Sequence, residues 1–294
     1  MKIKGKRKKE AYIFVIPALI YLAVVVGYPL IYNITLSFKD TDVMNFAKGT
    51  SKFIGLANYI ELFHDDTFLL VFRNTIIYTL ACLVVQFTIG FLLAMFFSKK
   101  FKIAAPLRGL LLIPWMMPIA VTAMLGKNIF GVNGLVNDIL QKLGVISSPI
   151  EWLTTGALAL TAVIIVNCWI GIPFNMLLLT SGLCNISQDV YESSAIDGAN
   201  AFQRFLYITL PLMKNSMMSV LMLGFIYTFK AFDLMYIMTA GGPLNSTDVL
   251  GTYAYLLSFD QYQFSKGAAV AVILLICLLC IGGFYLYLIM KEDD

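Results

Sequence analysis

Residues Tyr191–Pro211 read YESSAIDGANAFQRFLYITLP and lie between apolar runs long enough to cross a bilayer. This stretch carries Glu192, Asp197, Gln203 and Arg204, with Gly198 near its middle. Its polarity marks a connection outside the hydrocarbon, because unpaired charges inside it are costly. Ser187 is placed to cap a short helix starting near Gln188, and Gly198 to end it in the left-handed conformation. Asn200 is placed to cap a second helix, with Gln203 completing a capping box. That helix is expected to run to about Thr209, and Pro211 to open the next one. The expected product is a helix–turn–helix at the membrane surface. Its first helix sets the small residues Ser193, Ser194 and Ala195 beside Glu192 and Tyr191. Small side chains let a partner's groove approach the backbone, and Glu192 and Asp197 offer charged contacts. An ordinary interfacial loop helix fits the same residues.

Outward from this stretch the chain is apolar. Of its 294 residues 60% are hydrophobic and 13% charged; a soluble domain carries about 25% charged residues. The expected class is an all-α polytopic membrane protein. Six spans are expected: Ala11–Ile31, Asn74–Phe97, Gly109–Leu125 (with Pro114 and Pro118), Leu158–Thr180 (interrupted by Gly171 and Pro173), Ser216–Met238 and Gly267–Met290. Asn33–Val71 is expected to be an external loop with short interfacial helices. The first run is too long for a signal peptide and ends at no small-x-small cleavage site. With the N-terminus inside, internal segments hold thirteen Lys and Arg and external loops six. That bias predicts both termini in the cytoplasm, and Tyr191–Pro211 with them. The expected organisation is one domain over 1–294, with the first helix and external loop in 1–68, core helices in 69–290 and the connecting segment in 187–211.

Several function classes have little support. Lys2, Lys4, Lys6, Arg7, Lys8 and Lys9 precede the first apolar run, where a cytoplasmic flank places them, so the net charge of +4 does not signal nucleic acid. His64 is the only histidine, and the five cysteines form no disulfide framework. No metal site and no catalytic constellation is expected. No GxxxxGK[ST] pattern occurs, so phosphate cradling and hydrolysis fall to another chain.

Glu192-Ser193-Ser194, then Gly198 after three residues, then Ile208-Thr209-Leu210-Pro211 after nine more, resembles the Glu-Ala-Ala motif of the permease subunits of binding-protein-dependent ABC importers. Serines stand in place of the two alanines, a conservative change in size. The Ile196–Ala199 form (IDGA), FIGLANYIELF at Phe53–Phe63, TAGGP at Thr239–Pro243 and GAAVA at Gly267–Ala271 resemble the carbohydrate-uptake branch. The resemblance runs over almost the whole chain, to the maltose- and glycerol-phosphate-type permease fold. Relatives often carry a tryptophan before Ile129-Phe130 that is missing here. The resemblance implies a bacterial plasma-membrane subunit, non-enzymatic itself. It implies a second permease, two ATP-binding subunits that bind ATP and Mg, and an extracytoplasmic sugar-binding protein. Tyr191–Ala195, Asp197 and Gly198 would dock an ATPase. No cofactor is expected on this chain.

Two helix faces suit a solute path. Asn167, Ile170, Gly171 and Phe174 follow i, i+3, i+4, i+7 in the fourth span, and Gly224, Tyr227, Thr228 and Ala231 repeat that spacing in the fifth. Each joins a small residue, an aromatic and a hydrogen-bonding group. Aromatic rings pack on the C–H face of a sugar while hydroxyls take donors and acceptors. In maltose-type relatives the membrane sugar site falls at Asn167, Ile170, Gly171, Phe174, Tyr227, Thr228 and Ala231. Small-residue helix packing explains the same pattern. Lys230 and Asp233, three apart, are expected to pair or to face a wet cavity; as an ion-coupling pair they would belong to a secondary transporter instead. That alternative calls for more spans and an inverted repeat. The loop at Gly241-Gly242-Pro243 is a turn by composition, and by resemblance faces the binding protein or the path.

Overall fold

The computed structural model describes residues 15–99 and 101–291. The basic tail (Lys2, Lys4, Lys6, Arg7, Lys8, Lys9), the first residues of the expected Ala11–Ile31 span, and Lys100 lie outside the described residues. The chain divides into two compact units, one of residues 1–65 with 254–273 and the other of 66–253 with 274–294.

In the first unit, α1 (Val15–Ser37) is apolar along its length and exposes its large side chains. After it come a two-stranded antiparallel ribbon, β1 (Lys39–Asp40) with β2 (Lys52–Phe53), and two short helices, α2 (Val43–Lys48) and α3 (Ala57–Phe63). Asp42 caps α2 by accepting from the Asn45 amide, and Gly49 ends it at φ +65°. Asn58 ties the ribbon to α3 through bonds to the Ser37 and Lys39 carbonyls. Thr41 bonds Ser265 at the start of the last helix, and Glu61 pairs with Lys266.

The second unit holds α4 (Asp66–Ser98), α5 (Ala104–Leu111), α6 (Ile113–Met116), α7 (Ile119–Ile129), α8 (Leu135–Lys142), α9 (Gly156–Cys184), α10 (Gln188–Ile196), α11 (Ala201–Phe229), α12 (Asp233–Thr239) and α13 (Leu250–Tyr255). The last helix, α14 (Phe264–Met290), completes the chain. Five helices among the described residues are long and apolar enough to cross a membrane: α1, α4, α9, α11 and α14.

Three expectations are corrected. The third span is not one helix but α5–α7; Met117 turns extended at ψ 146° before Pro118, as a residue preceding proline prefers. The fourth span is not interrupted: α9 runs through Gly171 and Pro173. Its glycine serves packing, since a Cβ there would overlap the Gln86 carboxamide of α4. The fifth span ends at Phe229, and a non-helical step at Lys230–Phe232 separates it from α12. The second helix of the polar connection reaches Thr209 and Pro211 falls in the first turn of the next α-helical stretch, both as expected, but no break separates the two. The helix continues through a π-type turn at Phe205–Thr209 into the span, the wider turn falling just before Pro211, which has no N–H to give.

Helix α4 packs along α9, the most extensive helix pairing in this unit. The approach is close: a Cβ on Gly90 would lie 2.7 Å from the Asn175 Cβ. Small residues at such crossings give the van der Waals contact that drives association in lipid, where no hydrophobic effect is available. Tyr78 and Cys82 of α4, Val163 and Val166 of α9, and Met235 and Met238 of α12 form one core; Phe91, Met176, Leu179 and Met213 form another nearer Tyr191–Pro211.

Candidate functional site

The expected path residues come together. Asn167, Ile170, Gly171 and Phe174 of α9, Tyr227 and Thr228 of α11, and Ala231 of the non-helical step line one cavity of about 460 Å³. Spacing along each helix set these faces, and the α4–α9 and α4–α11 crossings turn them inward. Aromatic rings form one wall. Trp115 stacks on Phe174 with centroids 5.5 Å apart, and Tyr227 meets Phe174 edge-on at 6.0 Å. Lys230 lies 5.3 Å over the Tyr227 ring. Among the described residues no ion pair joins Lys230 to Asp233. Both line the cavity and both are exposed, so the cavity-facing expectation holds and the pairing does not.

The polar floor includes residues that helix spacing did not single out. Gln86 reaches from α4 across the Gly171 gap, donates to the Asn167 carbonyl at 3.1 Å and is 4% exposed. Asn175 donates to the Gly171 carbonyl at 2.9 Å. Gln86 is one of very few strongly polar side chains in its span, and that was the available signal. Trp115 carried none, because it sits in the run broken by Pro114 and Pro118. The cavity thus offers aromatic faces, amides, a hydroxyl from Thr228, one ammonium and one carboxylate. That set binds and orients a polar solute but contains no nucleophile–base arrangement. Among the described residues no group of three His, Cys, Asp or Glu is placed to hold a metal.

The polar connection folds as its residues dictate. The Ser187 hydroxyl accepts from the Asp189 amide, α10 runs from Gln188 to Ile196, and Gly198 follows at φ +82°. Asn200 and Gln203 form both halves of a capping box. The Tyr191 hydroxyl bonds Thr209 at 3.0 Å, fastening α10 to α11. Ser194 is buried and bonds the Tyr191 carbonyl, whereas Glu192, Ser193, Ala195, Asp197 and Gly198 face outward. Gln188 donates to Glu192 at 2.8 Å. Ile196 is 87% exposed and Phe202 70% exposed, two apolar contacts that the motif did not single out. Asp197, Gly198, Gln203 and Tyr207 border a shallow recess of about 300 Å³.

The third region is the loop between α12 and α13. Gly241 sits at φ +81°, where a Cβ would meet the Asp248 carboxylate. Thr247 bonds the carbonyls of Gly241 and Gly242, and Asn245 donates to Asp248 at 3.0 Å. The loop is anchored to α4 by Asn74, which donates to the Asn245 and Ser246 carbonyls. Pro243 is half-buried, while Leu244 beside it is 94% exposed. Burial pushes the Asp248 carboxyl above its usual range, partly offset by bonds from Thr252 and Asn245.

Long apolar helices around a polar, solute-sized cavity, with a capped polar connection at one end, define a multi-pass helical membrane protein built to pass a solute. The chain belongs to the binding-protein-dependent transport system inner membrane component family, whose pattern matches residues 86–291. It is 32% identical to the trehalose/maltose transport system permease protein MalF of Thermococcus litoralis, over 97% of this chain and 95% of that one. Its fold matches that of a bacterial ABC transporter involved in import of the acidic polysaccharide alginate, with a TM-score of 0.84, 21% identity and 98% of each chain covered. It also matches that of a bacterial alginate transporter solved with an alginate pentasaccharide-bound periplasmic protein, with a TM-score of 0.81, 21% identity, and 95% and 93% of the two chains covered. Members of this family are non-catalytic permease subunits; ATP is hydrolysed by separate subunits.

Proposed function

We propose that this chain is the permease subunit of a sugar importer, forming half of the translocation path beside a second permease. Two ATP-binding subunits, holding ATP and Mg, drive it, and an extracytoplasmic sugar-binding protein supplies it. Both termini and Tyr191–Pro211 lie in the cytoplasm of a bacterial cell, and 1–294 acts as one transmembrane domain. Glu192, Ser193, Ala195, Asp197 and Gly198 form the ATPase-docking surface, with Ile196 as its apolar contact; the half-buried Tyr191 and the buried Ser194, also expected to dock, instead hold the helix from beneath. Asn167, Ile170, Gly171, Phe174, Tyr227, Thr228 and Ala231 line the sugar path. Gly241, Gly242 and Pro243 face the binding protein.

One observation carries this reading: the docking helix α10 is fastened, through the Tyr191–Thr209 bond, to the helix that lines the cavity. From its capping box α11 runs 29 residues to Phe229, a rod of about 40 Å at 1.5 Å per residue. Displacement of α10, passed on through that bond across the short Gly198 turn, is therefore carried along α11 to Tyr227 and Thr228. The aromatic wall suits the C–H faces of a sugar and the amides its hydroxyls. The test is uptake of labelled sugar by proteoliposomes holding the chain with its partner permease, ATPase and binding protein. Uptake is expected to require both ATPase and ATP. Uptake by the chain alone on an ion gradient would overturn the proposal.

A further inference from the structure

At the end of α4 the chain turns through a short connection into α5. The turn encloses a recess of about 530 Å³ whose lining includes Lys99, Lys102, Arg108, Phe97, Phe101 and Cys184. No Asp or Glu occurs in the sequence between Asp66 and Asp138, and the first one after Cys184 is Asp189. Lys99 and Lys102 are exposed and, among the described residues, neither has an ion-pair or side-chain hydrogen-bond partner. Arg108 is fixed in place. Its Nη2 donates to the Phe97 carbonyl at 2.7 Å, and its guanidinium carbon lies 5.9 Å from the Phe97 ring. Its Nε is buried with no hydrogen-bond partner among the described residues. One held cation and two adjustable ones therefore converge on one recess without a counter-charge.

The position of the recess narrows the anion. Phe97 and Ser98 end a 33-residue apolar helix. Phe96, Phe97 and Phe101 cluster there, with ring centroids 5.1 to 6.0 Å apart. A membrane-crossing helix ending in rings and then lysines marks headgroup depth. Guanidinium groups match phosphate oxygens in a fork, and basic pockets between helices hold anionic headgroups. We infer that this recess binds a phosphate diester, supplied by the headgroup of an anionic phospholipid whose glycerol and chain carbons lie along Phe97 and Phe101. The site is separate from the solute cavity, and its occupancy does not depend on the proposed transport.

The test uses the full chain in a neutral detergent, with bound lipid counted by native mass spectrometry. Phosphatidylglycerol is expected to be retained in preference to phosphatidylcholine. The double variant K99Q/K102Q is expected to lower phosphatidylglycerol affinity about twenty-five-fold, from roughly five-fold for each cation near an anionic surface, and to leave phosphatidylcholine unchanged. K48Q, at an exposed position in the first unit, should change neither. Equal retention of the two lipids, or unaltered retention in the double variant, would overturn the proposal. Competition by glycerol 3-phosphate as effective as that by the intact lipid would assign the recess to a free phosphate ester and overturn the lipid source.

Discussion

The proposed docking segment Tyr191–Pro211 and the solute cavity are held together by opposite means. The segment is built from contacts close in sequence: Ser187 on Asp189, Ser194 on Tyr191, Asn200 on Gln203. The cavity is built from contacts across the chain, with Gln86 on Asn167 and Asn175 approaching Gly90. A segment that folds on its own local bonds can present the same surface while the helices behind it shift. A cavity made of helix crossings changes shape whenever one of those helices moves. The two properties together are what coupling a motor to a gate requires.

The largest effect is expected where the crossing is tightest. Gly171→Ala should lower the thermal midpoint of the purified chain, with a loss of about 1–3 kcal/mol typical of overpacking. A midpoint unchanged from the native chain would mean that Gln86 moves aside freely and that the cavity is not set by this crossing. Next, Gly198→Val places a β-branched residue at φ +82°, at a cost of about 1–2 kcal/mol. It should reduce ATP-driven uptake several-fold while membrane insertion and cavity variants behave as before. Equal loss of ATPase-independent sugar binding would show that the two regions are not separable. Tyr227→Ala removes the ring between Phe174 and Lys230, with a cost of about 0.5–1.5 kcal/mol beyond lost area. It should slow sugar-stimulated transport without changing ATPase association, measured by co-purification.

The smallest effect concerns the Gly241–Asp248 loop. Its buried carboxyl titrates above the usual 3.8. A raised folded value means that its stabilising contribution is full below the unfolded value and is lost as pH rises through the folded one. The midpoint of the native chain should therefore fall slightly over that acidic range, and Asp248→Asn should flatten the slope. An identical slope in the variant would remove Asp248 as its cause.

How much was legible in the sequence follows the same division. Caps, the left-handed glycine and the capping box around Tyr191–Pro211 could be read residue by residue, because their partners lie within three positions. The two cavity faces could be read from helical spacing. That Gln86 would occupy the space over Gly171 could not, since nothing local to either residue sets which helices cross. Pro173 was misread for a related reason. Proline signals a break when its own segment is considered, but a packed neighbour absorbs the missing hydrogen bond. Conversely Pro114 and Pro118 divide what spacing suggested was a single span, Met117 turning extended ahead of Pro118. The Lys230–Asp233 pairing failed because Lys230 lies over the Tyr227 ring at the end of α11, and Asp233 begins a new helix.

The central claim is that Tyr191–Pro211 is where the motor attaches, and Ile196, 87% exposed, is its most accessible apolar side chain. A photo-crosslinking amino acid in place of Ile196, irradiated in the assembled transporter, tests this directly. The expected product is a covalent adduct with the ATP-binding subunit whose yield changes between ATP-bound and nucleotide-free states. Adducts only with lipid or with the second permease, at the same yield in both states, would contradict it.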